Sequence, residues 1–135
     1  MGFKDSGSDQ PTVYFRLTQR RIFMLPMWLQ DYSKIQILVG TVLKVSKNEK
    51  ARKPSLVVEV DFGSEIGVRQ SSAQITHYYN SDNLVGKLVI GVCNFPKKNI
   101  AGVESEVLIL GAIEKDGKVV LVHPSQKTEN GLEIA

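Results

Sequence analysis

Between residues 38 and 123 the sequence is a succession of short β-type runs, each closed by glycine, proline, asparagine or aspartate, which leaves little room for helix. The clearest run covers residues 55–62 (SLVVEVDF), where Leu56, Val58, Val60 and Phe62 share one face and Glu59 and Asp61 the other. Strand side chains alternate with a period of two, so this is the pattern of a half-buried strand. Further runs occupy residues 38–46, 67–75, 87–95, 106–114 and 118–123. The last two are joined by Lys115-Asp116-Gly117, whose Asp-Gly pair supplies the positive backbone angles of a tight hairpin.

Short strands with little helix predict an all-β barrel or sandwich, and the spacing suits a five-stranded OB-fold barrel with a short N-terminal helix and terminal extensions, with a sandwich as the alternative. Asp31 is expected to cap that helix, which would run to about Gln36, and residues 82–85 to form a helical turn before Gly86. With 135 residues the chain is about the size of one ordinary domain. The polar start MGFKDSGSDQ and the unpatterned stretch after it divide the chain into an extension over 1–30 and a domain over 31–135. Two runs, LVIGVCNF and VLILGAI, are apolar on both faces, although a small barrel buries only its inside. Their outer faces need cover from the terminal segments or from a second subunit.

The chain is 42% hydrophobic and 23% charged with a formal net charge of +3, a balance that favours anionic partners without naming one. A single cysteine, Cys93, excludes an intramolecular disulfide, fits a reducing cytoplasmic setting and lies where a buried, inert thiol is expected. The apolar stretch at residues 22–29 is broken by Pro26 and is far shorter than the roughly 20 residues of a membrane span. It also lacks the small-x-small cleavage site of a signal peptide.

Chemistry-bearing motifs are few. The stretch KNEKARKP, residues 47–54, sets Lys47, Lys50, Arg52 and Lys53 against Glu49 alone, and in an OB-type barrel the connection between the first two strands borders the ligand face. By itself it reads as a solvated basic loop. Lys97 and Lys98, after the fourth run, supply a second cluster, and two clusters on one face would form the spaced cationic track that a nucleic-acid backbone requires. Tyr78, Tyr79 and Phe95 are stacking candidates that could equally serve packing. Ser71 and Ser72 stand in no nucleophile elbow, and His77 and His123 have neither triad nor metal-ligand spacing, so no catalytic site, metal or cofactor is expected.

Taken in order, VGTVLKV, ARKP, VDFG, QSSAQIT, the apolar run ending NFP, and KNIAGVESEVLILGA resemble the CsaA family. That family lies within the tRNA-binding-domain group that includes the C-terminal domain of some bacterial methionyl-tRNA synthetases. The resemblance covers roughly residues 31–135 and implies an OB-fold, a homodimer and tRNA binding. For CsaA it also implies a chaperone role in protein export, with unfolded or pre-secretory polypeptides bound in an apolar groove near Phe95. Carried over by motif, Lys50, Arg52 and Lys53 lie on an anion-facing rim, with Arg69, Ser71 and Ser72 on the neighbouring strand. Asn94, Lys97, Lys98, Ser105 and Glu106 come from the stretch the wider group shares most clearly. Cations would meet phosphates, while Asn, Ser and Glu would reach base edges or ribose hydroxyls. Where relatives have Asp-Ile-Arg-Val-Gly this chain has Gln36-Ile37-Leu38-Val39-Gly40, which removes one acidic and one basic side chain. Arg16, Arg20 or Arg21 of the extension could replace the lost cation.

Overall fold

The structure, a computed structural model, describes residues 26–135. The expected packing of the extension up to residue 25, its three arginines included, lies outside the described residues. Helix α1 spans Met27–Ser33. It starts before Asp31 because Pro26, held at φ −55° and ψ 150°, takes the N-cap position, and its carbonyl accepts from the Leu29 and Gln30 amides at 3.0 and 2.9 Å. Asp31 therefore sits inside the helix and pairs with Lys34 at 3.4 Å instead of capping. The helix also stops short of Gln36.

The strands are β1 (Ile37–Lys47), β2 (Leu56–Asp61), β3 (Val68–Ala73), β4 (Leu88–Val92), β5 (Lys98–Ile100), β6 (Val103–Ser105), β7 (Leu108–Ile109), β8 (Gly111–Ile113) and β9 (Val119–Leu121). A four-residue helix α2 (Ser81–Leu84) precedes β4. Five strands form one antiparallel sheet in the order β3-β2-β1-β4-β7, while β5-β6 and β8-β9 are separate hairpins. The sheet curls until its edges approach, and the Glu106 amide donates to the Gln70 carbonyl at 2.8 Å across the seam. The result is a nearly closed five-stranded barrel of OB type, the first of the two all-β architectures that the strand spacing allows.

Closure depends on Phe62, which is fully buried and lies where β1 and β4 must come close. A Cβ at Gly40 would stand 2.8 Å from the Phe62 ring and one at Gly91 likewise, so both strands present bare backbone to make room for it. Around Phe62 the core gathers Val42, Val58, Val60 and Val89, and Leu84 enters it from α2. That helix is held by reciprocal bonds: Asn80 Oδ1 accepts from the Asp82 and Asn83 amides, and Asn83 Oδ1 accepts from the Asn80 amide.

The two doubly apolar runs have different outcomes. In β4 the residues Val89 to Val92 are all buried. The outer-face pair Val39 and Ile90 is covered without a second subunit, and Leu29 of α1 is buried as well. The C-terminal segment lies along β1, with bonds from Gly131 to Val39, Val39 to Leu132 and Ile134 to Ile37. Tyr32 of α1 donates to the Ile134 carbonyl at 2.9 Å. The run over 106–114 is instead broken at Leu110, whose amide donates to Ile90 while its carbonyl accepts from Val122. There the chain changes partner from β4 to β9, and Leu108, Ile113, Val120 and Val122 remain exposed.

The β5-β6 hairpin was not foreseen. Its strands are short and polar, so alternation gives no signal, but Ala101 and Gly102 (φ 50° and 85°) make the two-residue turn with positive angles that hairpin twist favours.

Candidate nucleic-acid interface

The basic connection between β1 and β2 is fixed at its base by Asn48, which is almost fully buried. Its backbone bonds to Ser55 and Ala51, closing the loop, and its Oδ1 accepts from the Lys50 amide at 3.3 Å. Its Nδ2 donates outward to the Ser72 Oγ of β3 at 3.4 Å and to the Ile100 carbonyl of β5 at 3.3 Å. One side chain thus gathers the basic loop, β3 and the β5-β6 hairpin. The Lys50 side chain lies over Gly102, within 3.4 Å of the position a Cβ would take there.

Strand β3 meets the hairpin along a polar seam. The Ser72 amide donates to Ser105 Oγ at 3.2 Å, the Gln70 amide to Glu106 Oε1 at 3.3 Å, and Gln70 Nε2 to the Glu104 carbonyl at 3.0 Å. Glu106 also faces Lys97 at 3.6 Å, and Glu104 faces the same ammonium at 3.9 Å. Such exposed pairs contribute little to stability. They do offset the charge of Lys97, whereas Lys50, Arg52, Lys53 and Lys98 are exposed and have no ion-pair partner among the described residues.

Of the residues expected in a site, Lys50, Arg52, Lys53, Ser72, Lys97, Lys98, Ser105 and Glu106 are brought around this seam. Three differ. Ser71 pairs with Val58 across the ladder and so faces the core, only 3% exposed, because alternation turns it away from Ser72. Arg69 shares that inner face, is half-buried, and donates from Nε to the Ile66 carbonyl at 3.3 Å. Asn94 bonds the Gln36 amide and the Lys34 carbonyl, at 2.8 and 2.7 Å, which ties the end of α1 to the end of β4. Its amide serves the fold.

The aromatic candidates also separate. Tyr78 donates to Glu114, a bond that raises its pKa above the ordinary tyrosine value, and Tyr79 accepts from the Leu121 amide, so both belong with the β8-β9 hairpin. Phe95 stays exposed. Cys93 is buried as expected, and burial pushes its thiol up to about 11 against a smaller opposing effect from Arg69. Asn48, Gln70 and Ser55 were missed because each is an uncharged polar residue whose position matters only after folding. No His, Cys, Asp and Glu cluster able to hold a metal occurs among the described residues. None of their helices is long and apolar enough to cross a membrane.

A curled OB-type barrel with cations that lack an ion-pair partner among the described residues along one polar seam is an architecture that nucleic-acid-binding domains use. The sequence model of the family described as a putative tRNA binding domain matches residues 37–133, so the chain belongs to that family. Within it the chain falls with the CsaA proteins. It is similar to the solved chaperone CsaA of Bacillus anthracis, at 40% identity and TM-score 0.76, covering 82% of this chain and 99% of that one. The CsaA chaperone protein of Picrophilus torridus is 46% identical with TM-score 0.75, over 82% of this chain and 100% of that one. The methionine–tRNA ligase of Archaeoglobus fulgidus is 38% identical over 78% of this chain, but the match spans only 16% of the ligase.

Proposed function

We propose that the chain is a homodimeric tRNA-binding module of the CsaA type, formed by a domain over 31–135 behind an N-terminal extension, working in the cytoplasm and catalysing no reaction. The observation that carries this reading is the convergence at Asn48 of the basic loop, β3 and the β5-β6 hairpin, around which Lys50, Arg52, Lys53 and Lys98 have no ion-pair partner among the described residues. These side chains meet phosphates, and Ser72, Ser105 and Glu106 bond ribose or base groups. Dimerisation is supported by the exposed Leu108, Val120 and Val122, apolar side chains that a second copy could cover.

The test is a titration of tRNA at two salt concentrations together with light scattering. Each phosphate contact releases counterions, so log affinity falls against log salt with a slope of about −0.7 to −0.9 per contact. The scattering mass should be twice that of the 15.0 kDa chain. Salt-independent binding, or a monomer at micromolar concentration, contradicts the reading. A second reading, capture of unfolded or pre-secretory polypeptides, draws on the chaperone names of the solved relatives and on the exposed Phe95. An unfolded polypeptide probe, bound with little response to salt and lost in Phe95→Ala, would favour it.

A further inference from the structure

One side chain on the polar seam has the wrong charge for a phosphate. Glu106 is a carboxylate among lysines, and like charges repel, so it weakens the grip on an RNA backbone. It is nevertheless held in place: Oε1 accepts from the Gln70 amide at 3.3 Å, Oε2 faces the Lys97 ammonium at 3.6 Å, and the Glu106 amide donates to the Gln70 carbonyl at 2.8 Å. Lys97 also faces Glu104 at 3.9 Å. The Glu106 side chain is 21% exposed and that of Lys97 53%, so both reach solvent. An ionised carboxylate has about four lone-pair sites, and these contacts use about one on each oxygen. Each oxygen therefore keeps an open site, beside an ammonium that still has protons to donate.

We propose that Glu106 and Lys97 read the Watson–Crick edge of one unpaired guanine in the bound RNA: the two carboxylate oxygens accept from the ring N–H and the amino group, and the ammonium donates to the guanine carbonyl. The inference rests on the tRNA-binding reading and names the base that the seam takes. The pair offers acceptor, acceptor and donor in a row. Guanine alone among the RNA bases presents two adjacent donors followed by an acceptor on that edge. Adenine and cytosine bring one amino group beside a ring acceptor, and uracil one ring N–H between two carbonyls, so each gives the carboxylate a single donor. A ribose hydroxyl likewise supplies one donor and leaves the second oxygen and the ammonium unused. A paired base has already spent this edge, so the guanine comes from a loop, a bulge or a chain end.

The test uses the full chain with a folded tRNA and with short oligouridines carrying one central guanosine or inosine. Inosine keeps the carbonyl and the ring N–H of guanine and lacks only the amino group. The guanosine strand should bind about tenfold more tightly than the inosine strand, the loss of one hydrogen bond to a charged acceptor. Glu106→Gln keeps an acceptor for the Gln70 amide and turns the other oxygen into a donor, so that gap should shrink to less than about twofold. Plain oligouridine should bind this variant no more weakly than the unaltered chain, since a repelling charge is gone. Equal binding of the guanosine and inosine strands by the unaltered chain overturns the inference, whatever the variant does. So do a guanosine preference that survives in Glu106→Gln, a loss there that plain oligouridine shares equally, and a failure to bind the guanosine strand when tRNA binds. Those results leave the proposed function standing; a chain that binds no tRNA would instead remove that function, and this inference with it.

Discussion

The barrel has two unlike sides. At the β3 seam, polar side chains from the β1-β2 loop, β3 and the β5-β6 hairpin hold one another, and around them Lys50, Arg52, Lys53 and Lys98 have no ion-pair partner among the described residues. Along β7, β8 and β9 apolar side chains face outward beside a cavity of about 800 Å³ lined in part by Tyr79, Leu88 and Val120. Hydrogen bonds are directional and need partners at fixed distances, so the first side is specified by position. Hydrophobic burial is non-directional, so the second requires only that something apolar cover it. One side offers directional polar groups and the other exposed apolar surface.

The sharpest way to test whether both sides hang on one frame is Phe62→Ala. Phe62 fills the space that Gly40 and Gly91 leave open, so its truncation should cost about 3–5 kcal/mol in denaturant unfolding and weaken both sides together. Loss of one side with the other intact would mean that the barrel is two independent units.

Cys93 reports on the buried stretch between them. Its thiol titrates near 11 when folded, against about 9 unfolded, so the unfolded chain loses its proton first as pH rises. The protonated, buried thiol therefore favours the fold below pH 9, and that contribution of about 2–3 kcal/mol fades between pH 9 and 11. Cys93→Ala should show a shallower decline of stability over that window, and the native thiol should resist labelling reagents. Matching pH profiles for the two proteins would place the thiol in contact with solvent.

Asn48→Ala sharpens the comparison from the polar side alone. Removing its bonds to Ser72 and Ile100 should cost about 1–3 kcal/mol and loosen the β5-β6 hairpin, with weaker tRNA binding and an unchanged association mass. An altered mass with intact RNA binding would reverse the roles assigned to the two sides.

The two sides were also unequally legible in the sequence. Alternation in residues 55–62 marks β2 and its inward face, and the apolar run over 88–93 marks β4, because burial leaves its pattern in consecutive residues. The Asp-Gly hairpin joining β8 and β9 was legible for a similar local reason. Asn48 was not, since its partners lie 24 and 52 residues away and only the closed barrel unites them. The basic residues were visible as charge, but their neighbours Ser55 and Gln70 carry none. The family resemblance placed Ser71 beside Ser72 on the site, while strand alternation puts it in the core. The start of α1 was misplaced because an acidic cap at Asp31 is a stronger local signal than a proline in the N-cap position.

The claim that the polar side grips RNA through phosphates is tested most directly by replacing Lys50, Arg52 and Lys53 together with alanine and measuring tRNA affinity across a salt series. Exposed charges contribute little to stability, so the fold should survive. Affinity should fall, and the salt slope should flatten by about two to three units, roughly one for each phosphate contact removed. A triple variant that binds tRNA with the affinity and slope of the unaltered chain would contradict the account.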